Sequence, residues 1–345
     1  LFAIEQAAEQ LQSRVLSHQP VLAFKQQFVL KRARRVISQA ESFPAFDVLT
    51  EKVLNELGNY DSCDDLEMRI AQYGMHLLSD SEKNAPSIDQ LVQWCAACLT
   101  TEEGKIFTQG WAAFALPQKR DFDQLVKTQA SKEDASLQEV DPLTHRQREG
   151  FELTDKRMPL RERMAEVDYC VYCHKNDGDF CSKGFPIKKK EPELGLKTDP
   201  LGNVLTGCPL EEKISEMHLL QREGYSIAAL AVVMIDNPMC PVTGHRICND
   251  CMKACISQKQ DPVDIPQIET GVLTDVLSLP YGVEIYDLLT KWNPLRHTQY
   301  LPQDYSGRKV LVMGMGPAGF TLAHHLLMEG CAVVGMDGLK IEALP

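Results

Sequence analysis

Seven cysteines in two groups are the residues of this chain best suited to chemistry. The first group is Cys170-Val171-Tyr172-Cys173, then Cys181, then Cys208 within Gly207-Cys208-Pro209-Leu210. The second is Cys248, Cys251 and Cys255. A close C-x-x-C pair lets a short loop set two thiolates on neighbouring metal atoms, and thiolates favour iron–sulfur clusters or zinc. Seven thiolates exceed one tetrahedral site, so two metal centres are expected. The spacing permits a pair of loop-tying zinc sites as well as two clusters. Disulfides are disfavoured, because no secretory signal accompanies this density of cysteine. His174 and His245 sit inside the groups and are expected to line the sites, where an N–H bonded to sulfur would raise a cluster's potential.

The second constellation is Gly314-Met315-Gly316-Pro317-Ala318-Gly319, a G-x-G-x-x-G loop between an expected strand, Lys309–Met313, and an expected helix, Ala318–Glu329. The first glycine permits the tight turn, the second lets backbone approach a pyrophosphate, and the third lets the helix pack closely on the strand. The helix N-terminus offers free N–H groups to phosphates. Asp337 ends the next strand, Cys331–Met336, where a carboxylate would accept hydrogen bonds from a ribose. Gly314, Gly316, Pro317, Ala318, Gly319 and Asp337 are therefore the expected dinucleotide-binding residues. This pattern alone does not separate FAD from a nicotinamide cofactor.

Taken together, the stretch from Tyr169 to Cys255 and the glycine loop resemble the cluster and flavin domains of the glutamate synthase small subunit family. Dihydropyrimidine dehydrogenase shares that cluster domain. Asn237-Pro238 and Thr243-Gly244-His245-Arg246-Ile247-Cys248 are similar to the family's N-P…T-G-R-V-C, and Cys251-Met252-Lys253-Ala254-Cys255 to its C-x-x-x-C. Gly207-Cys208-Pro209-Leu210 is similar to its G-C-P-L, and Val263–Glu269 to the segment that delivers a non-cysteine ligand. The resemblance covers roughly 165–345 and leaves the first 150 residues outside it.

The resemblance implies two [4Fe–4S] clusters with crossed ligation. Cys170, Cys173 and Cys181 would share one with Cys255, while Cys208, Cys248 and Cys251 would hold the other with Glu269. It further implies FAD, NAD(P)H as the electron source in the full-length protein, and an electron-acceptor domain or subunit as partner. The chain would then be part of an NAD(P)H-dependent oxidoreductase, inactive alone and with no catalytic side chain of its own. The chain departs from the family's gaps: seven residues precede Cys181, twenty-six separate it from Cys208, and Cys248 and Cys251 stand one residue closer. Cys240 is surplus and a possible substitute for Cys248. The alternative from a different class is a zinc-stabilised helical scaffold without redox activity.

These sites need elements to position them, and the apolar spacing supplies mostly helices. Three- and four-residue periodicity predicts helices at Ile4–Val15, Phe24–Ile37, Asp47–Leu57, Leu66–Leu78 and Ile88–Leu99, with Ser87 and Asp121 as N-caps. The polar stretch Thr128–Glu149 is expected to be a linker or exposed helix, Lys183–Thr206 an exposed loop, and Ile227–Ile235 a buried helix. Cys95 and Cys98 are expected in a helical core, and Cys63 and Cys331 to be buried and inert.

The fold class is thus mainly α. A helical domain of unknown role (1–150) precedes an α-helical cluster domain (151–305). The chain then ends in the first β-α-β unit of an FAD-binding, Rossmann-like domain (306–345). The 345 residues, 44% apolar and 24% charged, suit a globular chain. A net charge of −12 argues against a nucleic-acid surface. No apolar run is long enough for a membrane span. The expectation is a fragment of a longer cytoplasmic protein.

Overall fold

A computed structural model describes residues 2–39, 44–59, 64–126, 128–140, 150 and 156–338. The described chain is mostly helical. Cys63 lies outside the described residues.

The N-terminal helices are α1 (Phe2–Leu16), α2 (Gln19–Phe24), α3 (Arg34–Ile37), α4 (Phe46–Glu56), α5 (Leu66–Leu77), α6 (Ala85–Thr100) and α7 (Glu102–Phe107). Between α2 and α3 the backbone winds as a π-helix over Lys25–Ala33, a departure that apolar periodicity does not signal. Asp65 caps α5 by accepting the Met68 N–H, and Thr101 caps α7 by accepting that of Gly104. The core of this region is aromatic: Trp94 meets Phe107 and Phe114 edge-on, and Phe24 stacks on Phe28. Gly74 lets Phe24 reach α5, since a Cβ there would stand 2.8 Å from the ring. Cys95 and Cys98 are buried in this core.

Three local expectations differ. α6 begins at Ala85 behind Asn84, with Pro86 in its first turn, so Ser87 lies inside the helix. Asp121 opens a turn, accepting the Asp123 N–H, and no helix follows. Part of Thr128–Glu149 is an exposed antiparallel hairpin, β1 (Thr128–Ala130) with β2 (Gln138–Val140). Residues 141–149 lie outside the described residues.

Helices α8 (Leu160–Tyr169), α9 (Phe180–Lys183), α10 (Ile214–Arg222), α11 (Ser226–Asp236), α12 (Cys240–Thr243), α13 (Asp250–Lys253), α14 (Ile265–Leu277) and α15 (Gly282–Lys291) follow. α11 and α14 form the interior, where Leu230, Val233, Met234, Ile268, Val272 and Val276 are almost fully buried. One hydrophobic core runs without interruption from Leu11 and Phe24 through Trp94 to these residues. Polar bonds cross the same junction: Gln26 to Asp168, Gln118 N–H to Asp261, and Arg161 to Glu67.

The last unit is β3 (Lys309–Met313), α16 (Pro317–Met328) and β4 (Ala332–Met336), with β3 and β4 parallel and Lys309 opposite Ala332. Its few buried side chains, Val312, Ala323, Met328 and Cys331, lie outside the main core. No helix among the described residues is long and apolar enough to cross a membrane.

Candidate metal centres and nucleotide loop

The thiols ring two neighbouring cavities. Cys170, Cys173, Cys181 and Cys255 line the first, together with Ser215 and His218 of α10 and Val263 and Ile265. Cys208, Cys248 and Cys251 line the second with Glu212, Asn237 and Glu269. Ile265 belongs to both walls. The Cys208 N–H donates to the Cys181 carbonyl at 2.8 Å, so the two cysteine loops are tied at their bases. The first cavity is narrow, about 20 Å³, and the second about 110 Å³. Among the described residues no group of three or more His, Cys, Asp or Glu side chains could hold a metal ion as arranged. The thiols surround spaces rather than a point.

The loops that carry the thiols have an unusual backbone. Tyr172, Asp177, Asp179 and Glu211, none of them glycine, take positive φ. They lie beside Cys173, Cys181 and Cys208, which is where such sparsely populated conformations concentrate in functional sites. Gly178 approaches Cys173 so closely that a Cβ would stand 2.9 Å from the cysteine's own. The Tyr172 N–H points at Cys170 Sγ, 3.5 Å away. The Tyr172 ring lies between Lys175 and Arg222, 5.5 and 5.7 Å from its centre, and its hydroxyl donates to the Val167 carbonyl.

Burial pushes the thiols of Cys170 and Cys208 up to about 11, and those of Cys181 and Cys251 further above the ordinary range. Burial thus favours their protonated, uncharged form. The second cavity also holds two buried carboxyls. Glu212 bonds to Glu269, and Asn237 Nδ2 donates to Glu269 Oε1 at 3.0 Å. Burial raises Glu212 to about 7, and burial together with the charge of Glu212 raises Glu269 strongly. Among the described residues no Lys, Arg or His lines this cavity; Lys213 is occupied by Asp236 at 2.6 Å. Three thiols and two carboxyls share the space.

Cys240 stands apart. It is buried on α12 with its sulfur 3.9 Å from Met234 Sδ, and it lines neither cavity, whereas the exposed Cys248 lines the second. His174 and His245 also line neither cavity. Sequence reasoning missed Glu212, His218 and Ser215. Glu212 directly follows the Gly-Cys-Pro-Leu-Glu run and was within reach of it. His218 sits among Met217, Leu219 and Leu220 on an ordinary amphipathic helix, and nothing in the sequence distinguishes it.

The glycine loop turns the chain sharply from β3 into α16. Gly314 has φ +92° and donates to the Met336 carbonyl at 2.7 Å. A Cβ on Gly316 would meet nothing within 4 Å, so that backbone faces open space before the α16 N-terminus. A Cβ on Gly319 would stand 1.8 Å from the Gly314 carbonyl oxygen, which fixes how closely α16 crosses β3. Asp337 Oδ2 accepts the Met315 N–H at 2.6 Å, placing the carboxylate against the loop.

No family model matches the chain. It is 58% identical over 106 residues to the uncharacterized protein RP006 of Rickettsia prowazekii, and 31% identical over 134 residues to RP005 of the same organism. These alignments use 31% and 36% of this chain but only 15% and 40% of those proteins. It is 30% identical over 128 residues, 37% of its length, to the glutamate synthase [NADPH] small chain of Mycobacterium tuberculosis, and the aligned region is 23% of that protein. The chain therefore spans less than half of each of these relatives, and the similarity to the glutamate synthase small chain is distant.

Proposed function

We propose that this chain is the electron-carrying part of an NAD(P)H-dependent FAD and iron–sulfur oxidoreductase. In this reading electrons pass from FAD through two [4Fe–4S] clusters to an acceptor domain or subunit. The observation that carries the proposal is the pairing of the thiols. Cys255 joins Cys170, Cys173 and Cys181, rather than its sequence neighbours Cys248 and Cys251, around one cavity. Crossing of the last cysteine to the other centre is characteristic of two-cluster ligation. The distant similarity to a glutamate synthase small chain supports the same reading.

The residues fit such groups. Four thiols around one cavity, and three thiols with Glu269 around the other, are donor sets of the kind that iron–sulfur clusters take. The first cavity, about 20 Å³, would have to widen to take a cluster, for which its four thiols would be the ligands. When bound, the clusters and flavin supply the redox chemistry. The chain contributes the rest: Asn237 and Glu212 orient Glu269, Ile265 keeps the wall between the centres apolar, and the α16 N–H groups are available to a pyrophosphate. Asp337 holds the glycine loop in shape.

The deciding experiment is iron, acid-labile sulfide and zinc per chain on anaerobically purified protein. About eight irons with matching sulfide are expected. Roughly two zincs without sulfide would instead establish the zinc scaffold.

A further inference from the structure

Helix α10 turns two polar side chains into the first cavity. Ser215 and His218 are each 1% exposed, and both line the space between Cys170, Cys173, Cys181 and Cys255. Three residues apart, they occupy one face of the helix. Neither ring nitrogen of His218 nor Ser215 Oγ has a hydrogen-bond partner among the described residues. Buried polar groups are nearly always bonded, so donors aimed into a thiol-lined space point to an acceptor that belongs there.

An imidazole ring has at least one N–H to give in either protonation state. A four-iron cluster presents inorganic sulfides on the faces between its ligands, and these accept hydrogen bonds. We propose that His218, assisted by Ser215, donates a hydrogen bond to sulfide of the cluster in the first cavity and so raises that cluster's reduction potential. The proposal rests on the iron–sulfur reading above. The added electron of a reduced cluster lies partly on sulfur, so a donor stabilises the reduced state more than the oxidised one. Neither Ser215 nor His218 lines the second cavity, where Glu212, Glu269 and Asn237 stand instead. The two centres should therefore respond independently to changes at α10.

The test is a redox titration of the anaerobically prepared chain, followed by electron paramagnetic resonance, with His218→Leu and His218→Asn beside the parent. Iron and sulfide are measured first; their absence from the parent overturns the cluster reading and this proposal with it. With clusters present, His218→Leu should raise the oxidised-to-reduced ratio of one centre about tenfold at fixed potential, a shift of about 59 mV for one electron. The other centre should stay unmoved, and His218→Asn, which keeps an N–H, should recover part of the shift. Full iron content with both potentials unchanged in His218→Leu overturns the proposal alone. Should His218→Leu fail to assemble a cluster, nitrogen-15 labelling of the histidines decides. A weak nitrogen coupling in the reduced parent that vanishes in His218→Asn supports the bond, and no such coupling, or one that persists, overturns it.

Discussion

The guanidinium of Arg161 joins two acids of α5 to α8. It bonds Glu67 at 2.8 Å and pairs with Asp65, while Glu67 also accepts the Ala113 N–H at 2.8 Å. Glu67 is only 6% exposed. Arg161→Ala would leave that carboxylate buried without its cation, a change that costs about 3 kcal/mol. Urea titration should show a loss of that order, and Arg161→Lys should restore part of it. The same contacts set an acid response. Burial and the adjacent Arg161 hold His18 below its ordinary pKa, and Arg161 holds Asp65 below its own. Both folded values lie below the unfolded ones, so each contribution is present at neutral pH and is lost as pH falls. The His18 part fades from about pH 6.5 downward and the Asp65 part below about 3.9. Thermal melting against pH should therefore decline in two steps, and His18→Gln should remove the upper one while leaving the lower.

At the scale of elements, the strand-turn-helix at β3 and α16 separates two roles of glycine. Gly316→Ala meets open space and has an ordinary φ of −69°, so thermal stability should hold while binding of added FAD weakens. Gly319→Ala drives a methyl into the Gly314 carbonyl and should destabilise the unit itself by about 2 kcal/mol. If both variants lost binding with unchanged stability, the close crossing of α16 over β3 would not be what Gly319 provides. This unit was legible because its signal is local: Lys309–Met313 is β3 to the residue, and the glycines fall at the turn. The helices Leu66–Leu77 and Ser226–Asp236 were legible for the same reason, since their apolar spacing is strong. The hairpin at Thr128 lacks alternating apolar residues, and the turn at Asp121 imitates a cap, so neither could be read. The facing of Glu212 on Glu269 and the approach of His218 to the thiols join α10, α14 and loops distant in sequence. Only packing reveals such meetings. The crossed thiol sets came from resemblance, because spacing alone would have paired Cys255 with Cys251.

At the scale of the molecule, the helical body and the terminal strand–helix–strand unit differ in how much holds them. The body shares one core from Leu11 to Leu289, crossed by buried polar pairs such as Arg163 with Asp275 at 2.5 Å. Among the described residues the terminal unit has two strands, and Leu311, Met313, Val334 and Met336 each leave about half or more of their surface exposed. It meets the body across a cleft lined on one side by Arg296 and His297 and on the other by His324 and His325. Two-stranded sheets are marginal in water unless something packs on them, and regions with few buried apolar contacts open well below the global free energy. Amide exchange should therefore show the helices α11 and α14 opening together with α2 and α6, at the free energy of global unfolding. The amides of Val310–Met313 and Val333–Met336 should exchange orders of magnitude faster in the same sample. Added FAD should slow exchange in β3 and at the start of α16 while leaving α6 unchanged, because a ligand stabilises only the states that bind it. Uniform protection across all three regions would mean that the terminal unit belongs to the same cooperative body. FAD-induced protection confined to α6 would place the flavin site away from the glycine loop.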